Sequence, residues 1–177
     1  AAVAVLALRQ AVLGSALGLD PAAVPLVDNP VASLTFSESR RFSMAIVAQA
    51  AALLALPVRL SADWSYGSIA PPASFFDPRV LAGLAVVVAG SAAAVAAWRS
   101  RRPGPFGAAA ALAAFLPASQ LVFPIGALFG ERFLYLPSAF AAIAVGALFS
   151  GRGRRAPLVL VTALFLFRGA AYSADYS

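Results

Sequence analysis

The architecture that this sequence predicts is all-α: a polytopic membrane protein of about six transmembrane helices. Three observations predict it. First, 62% of the 177 residues are hydrophobic and only 11% are charged, with a mean hydropathy of +0.87. A soluble domain is about 45–50% apolar and about 25% charged, and so few charges cannot cover so much apolar side chain. Second, the apolar residues come in runs close to the length that crosses a hydrocarbon core of about 30 Å at about 1.5 Å per helical residue. Third, these runs do not alternate apolar and polar residues, as the strands of a membrane barrel must.

Taken in order, the runs are Ala1–Leu19, interrupted by Arg9 and Gln10; Phe42–Val58, near the lower limit for spanning; and Val80–Trp98, the cleanest. Phe106–Phe123, broken by Pro117, Phe133–Phe149, and Ala156–Tyr172, with Arg168 near its end, complete the set. In the third run Gly83 and Gly90 stand on one face with Ala and Ser beside them, a small-residue face that lets helix backbones approach. The chain opens inside an apolar run with no Met or basic leader and stops abruptly at Ser177. It is therefore expected to be a fragment, with residues 1–177 forming one transmembrane domain.

All 13 basic residues are Arg, against seven acids, for a net charge of 13 − 7 = +6. They fall in clusters between apolar runs, which is a topology signal rather than a nucleic-acid footprint. If the runs alternate strictly, Arg40-Arg41, Arg99/Arg101/Arg102 and Arg152/Arg154/Arg155 share one side, which the positive-inside rule makes cytoplasmic. The loops at about 59–79 and 124–133 then lie on the outer side. The first and second runs are the weak points. If one of them does not cross, the Asp20–Glu38 loop moves to the other side.

There is no Cys and no His, which excludes disulfides, thiolate sites and His-based triads or metal sites. Chemistry is left to carboxylates, Arg, hydroxyls and aromatics. None of Asp20, Asp28, Glu38, Asp63, Asp77, Glu131 and Asp175 lies deep in a clean run, which counts against a proton- or ion-coupled transporter.

Two segments carry polar and aromatic residues at the end of a run. Arg59, Asp63, Trp64 and Tyr66 follow the second run. They read either as an aromatic belt with a snorkelling Arg or as a polar mouth whose rings suit a sugar and whose Arg suits a phosphate. Glu131, Arg132 and Tyr135 open the fifth run. They read either as a charged turn that fixes helix ends or as a place where Arg meets a lipid phosphate in a forked geometry. A third segment, Asp28-Asn29-Pro30, is Asx-Pro turn chemistry in which Asp28 or Asn29 caps a short helix.

Together and in this order, Asp28-Asn29-Pro30, Leu60-Ser61-Ala62-Asp63-Trp64-Ser65-Tyr66 and Gly130-Glu131-Arg132-Phe133-Leu134-Tyr135-Leu136-Pro137-Ser138 resemble a known family. It is the membrane region of the transmembrane-and-tetratricopeptide-repeat (TMTC-like) O-mannosyltransferases and their bacterial relatives; the opening Leu6–Gly14 is similar as well. The resemblance implies part of a class C glycosyltransferase (GT-C) fold. The sugar, mannose, would come from a polyprenyl-phosphate carrier and go to protein Ser/Thr on the lumenal or periplasmic side. It implies an acidic first outer loop upstream and tetratricopeptide repeats downstream, so the chain is expected to be the C-terminal part of the membrane domain.

Under that resemblance Arg132 and Arg59 would hold the lipid-linked phosphate, and Asp63 and Glu131 would bind sugar hydroxyls or orient the arginines. Trp64, Tyr66 and Tyr135 would line the sugar pocket or acceptor groove. A base from the upstream loop would activate the acceptor. No cofactor is expected within this chain, with a divalent metal left open for the full enzyme. The expected partners are membrane lipid, the polyprenyl-phosphate sugar donor, a protein acceptor and a larger membrane complex, without nucleic acid. The expected location is the bacterial inner membrane, as a multi-pass protein. The competing reading is a non-catalytic membrane subunit or scaffold in which the same motifs only anchor helices.

Overall fold

The computed structural model describes residues 7, 10–12, 24–57, 61, 64 and 67–150. Among these the regular structure is helical apart from one isolated bridge between Trp64 and Phe129. Four helices follow a single turn of 3-10 helix at Pro30–Ser33: α1 (Phe36–Ala55), α2 (Pro78–Ser100), α3 (Pro103–Phe115) and α4 (Tyr135–Leu148). A second 3-10 turn, Glu131–Leu134, runs directly into α4. The first and sixth apolar runs lie outside the described residues, save for a few positions of the first.

Helix ends follow local chemistry. α1 starts six residues before the apolar run does, because Glu38 accepts from both the backbone N–H (3.1 Å) and the hydroxyl (2.6 Å) of Thr35. This is a capping box, and it draws Arg40 and Arg41 into the helix rather than ahead of it. Asp77 caps α2 by accepting from the Arg79 N–H at 2.9 Å, with Pro78 at the first helical position. Arg101 ends α2 in the left-handed conformation, and Pro103 restarts the chain two residues later as α3, which makes an antiparallel hairpin. α3 stops at Phe115, ahead of Pro117, so the fourth run is corrected: residues 116–123 leave the helix.

The side chain of Arg79 hydrogen-bonds Asp77 and closes a 2.7 Å ion pair, which holds the Asp77 carboxyl below the usual carboxylate range. A lowered folded pKa means that the cap's stabilisation is present above the ordinary Asp pKa and is lost as pH falls through the lowered value. Acid titration followed by the Asp77 carboxyl NMR signal is expected to give a midpoint below that of an unstructured Asp peptide. Asp77→Asn should remove the acid sensitivity while keeping the cap.

α1 is the core helix. Ser39, Phe42, Ser43, Ile46, Val47, Ala50 and Leu53, at helical spacing, are buried. They pack with Val31, Ile69, Phe115, Ala118, Leu128, Phe129 and Leu134. The long apolar helices are the opposite. Two are long and apolar enough to cross a membrane, Pro78–Ser100 and the continuous Glu131–Leu148. Only 17% of the residues in the apolar stretch of the first and 11% of those in the second are buried. A soluble core helix is mostly buried; these two leave most of their apolar residues unburied.

Glycines set the helix crossings. A Cβ on Gly83 would lie 2.0 Å from the Met44 carbonyl oxygen, so α2 meets the backbone of α1 there. A Cβ on Gly90 would strike Leu112 of α3, and one on Gly107 would lie 2.6 Å from the Ala144 backbone nitrogen of α4. The face expected on the third run exists, and it serves two partners rather than one.

One expectation is overturned. Met44 meets Gly83, Arg41 donates to the Ala73 carbonyl just before α2, and Val47, Ala51 and Leu54 share a cleft of about 270 Å³ with Val86, Ala89 and Gly90. α1 and α2 therefore run in the same sense, and strict alternation fails between the second and third runs. Arg40 and Arg41 lie at the end of the bundle that holds Arg79, away from Arg99, Arg101 and Arg102. The physical reason is packing: α1 fills the core, and the small residues of α2 lie along it in the same direction.

Candidate functional site

The end of the bundle that gathers the motifs is built on a buried polar knot. Leaving α3, the chain turns inward, and Ser119 and Gln120 are fully buried. An irregular segment can be buried only if its backbone groups find partners, and three side chains supply them. The Asn29 amide donates to Gln120 Oε1 at 2.7 Å and to the Ile125 carbonyl, while Asn29 Oδ1 accepts from the Val31 N–H at 3.0 Å. Gln120 Nε2 donates to the Leu128 carbonyl. The Ser43 hydroxyl lies 2.8 Å from the Ser39 carbonyl and 2.9 Å from that of Gln120, tying the segment to α1. Gln120 takes a left-handed φ of 59° to make these contacts. The Leu128 N–H donates to the Asp28 carbonyl at 2.8 Å, which joins the first motif segment to the third.

The knot holds Leu128 and Phe129 in the core and delivers Gly130 to Tyr135 to the surface. The Trp64 N–H donates to the Phe129 carbonyl at 3.1 Å, and the two rings pack at 6.3 Å. The Glu131 carboxylate accepts from the Ser61 backbone N–H. So the second motif segment docks on the third through backbone bonds made by Ser61 and Trp64. The sequence had placed the loops at about 59–79 and 124–133 on one side, and the described parts of both do meet at one end of the bundle.

Glu131, half-buried, holds the neighbouring segment in place. Arg132 is exposed, with its guanidinium 5.0 Å from the Phe133 ring centre, and no carboxylate pairs with it among the described residues. Tyr135, on the first turn of α4, is 78% exposed. Trp64 is half-buried, and its indole Nε1, itself buried, has no hydrogen-bond partner among the described residues. Arg59, Asp63 and Tyr66 lie outside the described residues. Asn29 serves as the cap that its Asx-Pro setting foretold, and it does more. Gln120 and Ser43 were not foreseen. The available signal was a lone amide, Gln120, stranded among apolar residues after Pro117, since such a group must find buried partners.

Residues 20–90 match the family model described as protein O-mannosyl-transferase TMTC, DUF1736. A protein O-mannosyl-transferase of Caenorhabditis elegans is 32% identical over 126 residues, covering 69% of this chain and 18% of that protein. The protein O-mannosyl-transferase TMTC3 of Mus musculus is 36% identical over 118 residues, covering 63% of this chain and 12% of that protein. The chain thus spans less than a fifth of the length of these curated relatives. No solved structure matches it. The resemblance drawn from the three motif segments is borne out.

Proposed function

We propose that this chain, which is related to the TMTC protein O-mannosyl-transferases, is the acceptor-side end of the membrane domain of such an enzyme. In this reading it is a piece of a GT-C fold in a multi-pass protein of the bacterial inner membrane. It helps transfer mannose from a polyprenyl-phosphate carrier to protein Ser/Thr. The observation that carries the reading is the convergence of Asp28-Asn29, Ser61/Trp64 and Glu131-Arg132 at one end of the bundle through the Asn29–Gln120 knot.

The chemistry asks for a cation at a leaving phosphate. Arg132, exposed beside an aromatic ring and paired with no described carboxylate, offers its donors to a carrier phosphate at the membrane surface. Glu131 acts as a positioning residue, because its carboxylate already holds the Ser61 backbone. The proton acceptor for the Ser/Thr hydroxyl comes from outside these residues.

The test is mannose transfer from polyprenyl-phosphate mannose by the full-length protein in its membrane. Arg132→Ala is expected to lower kcat about a hundredfold, the scale of losing one preorganised donor at a developing charge. Arg132→Lys should keep part of the rate, as a point charge without the fork. Unchanged transfer with Arg132→Ala would remove the phosphate role and leave the scaffold reading.

A further inference from the structure

The opposite end of the bundle carries a second feature that the transfer reaction does not use. Between α2 and α3 lies a cleft of about 600 Å³, walled by Ala97, Phe106 and Ala110 and bordered by Trp98 and Arg101. Trp98 is 89% exposed and Phe106 55%, so the cleft is open to the surroundings of the bundle. Its charge has one sign. Arg101 borders it, with Arg99 and Arg102 close by in the chain, while the described acids Asp28, Glu38, Asp77 and Glu131 all stand at the motif end. The left-handed backbone of Arg101 turns the chain into α3 at the cleft's edge.

We propose that this cleft binds an anionic phospholipid of the adjacent leaflet, with the phosphate on Arg101 and the first part of an acyl chain between α2 and α3. Three features select that ligand. The wall is almost wholly apolar, which suits hydrocarbon and no polar metabolite. The one charged residue that borders the cleft is a cation, Arg101, and a juxtamembrane Arg attracts anionic lipid by about 1 kcal/mol. An interfacial Trp borders both zones, as at the level of lipid headgroups. The proposal rests on the membrane reading alone and is independent of mannose transfer.

The experiment places the full-length protein in vesicles of brominated phosphatidylglycerol or brominated phosphatidylcholine and reads tryptophan quenching. The Trp98 contribution is taken as the difference from Trp98→Phe. Titrating one lipid against the other is expected to show the Trp98 site preferring phosphatidylglycerol about fivefold. Arg101→Gln should abolish the preference and Arg101→Lys should retain it. Arg99→Gln, which removes the same charge outside the cleft, should leave most of it. Ala110→Leu should reduce Trp98-specific quenching by filling the wall.

Equal affinity for the two lipids overturns the proposal, and so does equal loss with Arg99→Gln and Arg101→Gln. Absence of Trp98 quenching by either lipid also overturns it, because the cleft is then occupied by protein.

Discussion

Gly83→Val is expected to be among the most damaging single substitutions in this chain. The added side chain must begin where the Met44 carbonyl oxygen now stands, 2.0 Å from an ideal Cβ, and that obstacle is backbone rather than a side chain that can swing aside. α2 has to move away from α1, and the core helix loses part of its cover over Val47 and Ala50. Overpacking in a filled interior costs about 1–3 kcal/mol and occasionally more. A clash with backbone belongs at the upper end, so a loss of about 3 kcal/mol is expected. The thermal midpoint of the purified full-length protein in detergent measures it. Gly146→Ala is the control: among the described residues nothing lies within 4 Å of its added Cβ, and replacing a helical Gly there should be neutral or stabilising by up to about 1 kcal/mol. Equal tolerance at the two positions would show that α1 and α2 do not approach in this way.

Asn29→Ala is expected to injure both stability and function. The substitution strips the partner from Gln120 Oε1, from the Ile125 carbonyl and from the Val31 N–H in one step. Each buried group left unsatisfied costs about 1–3 kcal/mol, so a loss of about 3 kcal/mol or more follows. Gln120→Ala should lose a similar amount, and the double variant should cost clearly less than the sum, because both act on one network. The functional consequence is distinct. Segment 116–130 aims Glu131 and Arg132, so under the proposed function mannose transfer by the folded fraction of full-length Asn29→Ala should fall even though Asn29 is fully buried and touches no solvent. Additive stability losses, or full transfer by the folded fraction, would separate the knot from the site.

The two predictions rest on unequal legibility. Gly83 could be singled out from its run, because a small residue on an apolar helix in lipid has few roles besides close packing. What it packs against could not, since Met44 lies far away in the chain and carries no signal of its own. Asn29 was legible as a cap, and Gln120 only as an anomaly. Their 2.7 Å bond joins positions 91 residues apart, and no local pattern encodes such a pairing.

Residue order by itself determined the all-helical character, the bounds of α2 and α4 to within about two residues, the break near Pro117 and the family resemblance. These depend on local physics: apolar run length against bilayer thickness, Pro and Asx chemistry at helix ends, and polar–aromatic strings that stand out in an Ala-rich chain. The early start of α1 was also written locally, in Thr35 and Glu38. Tertiary structure alone decided that α1 and α2 run in the same sense, that α1 rather than a longer helix is the core, and that the Ser61–Trp64 segment docks on Phe129–Glu131. Apolar runs are symmetric under reversal, and an arginine cluster marks a side only if every run crosses. Which helix is covered, and in which direction it runs, is therefore settled by packing: the close backbone approach at Gly83 and the buried amides that make an irregular segment tolerable inside the protein.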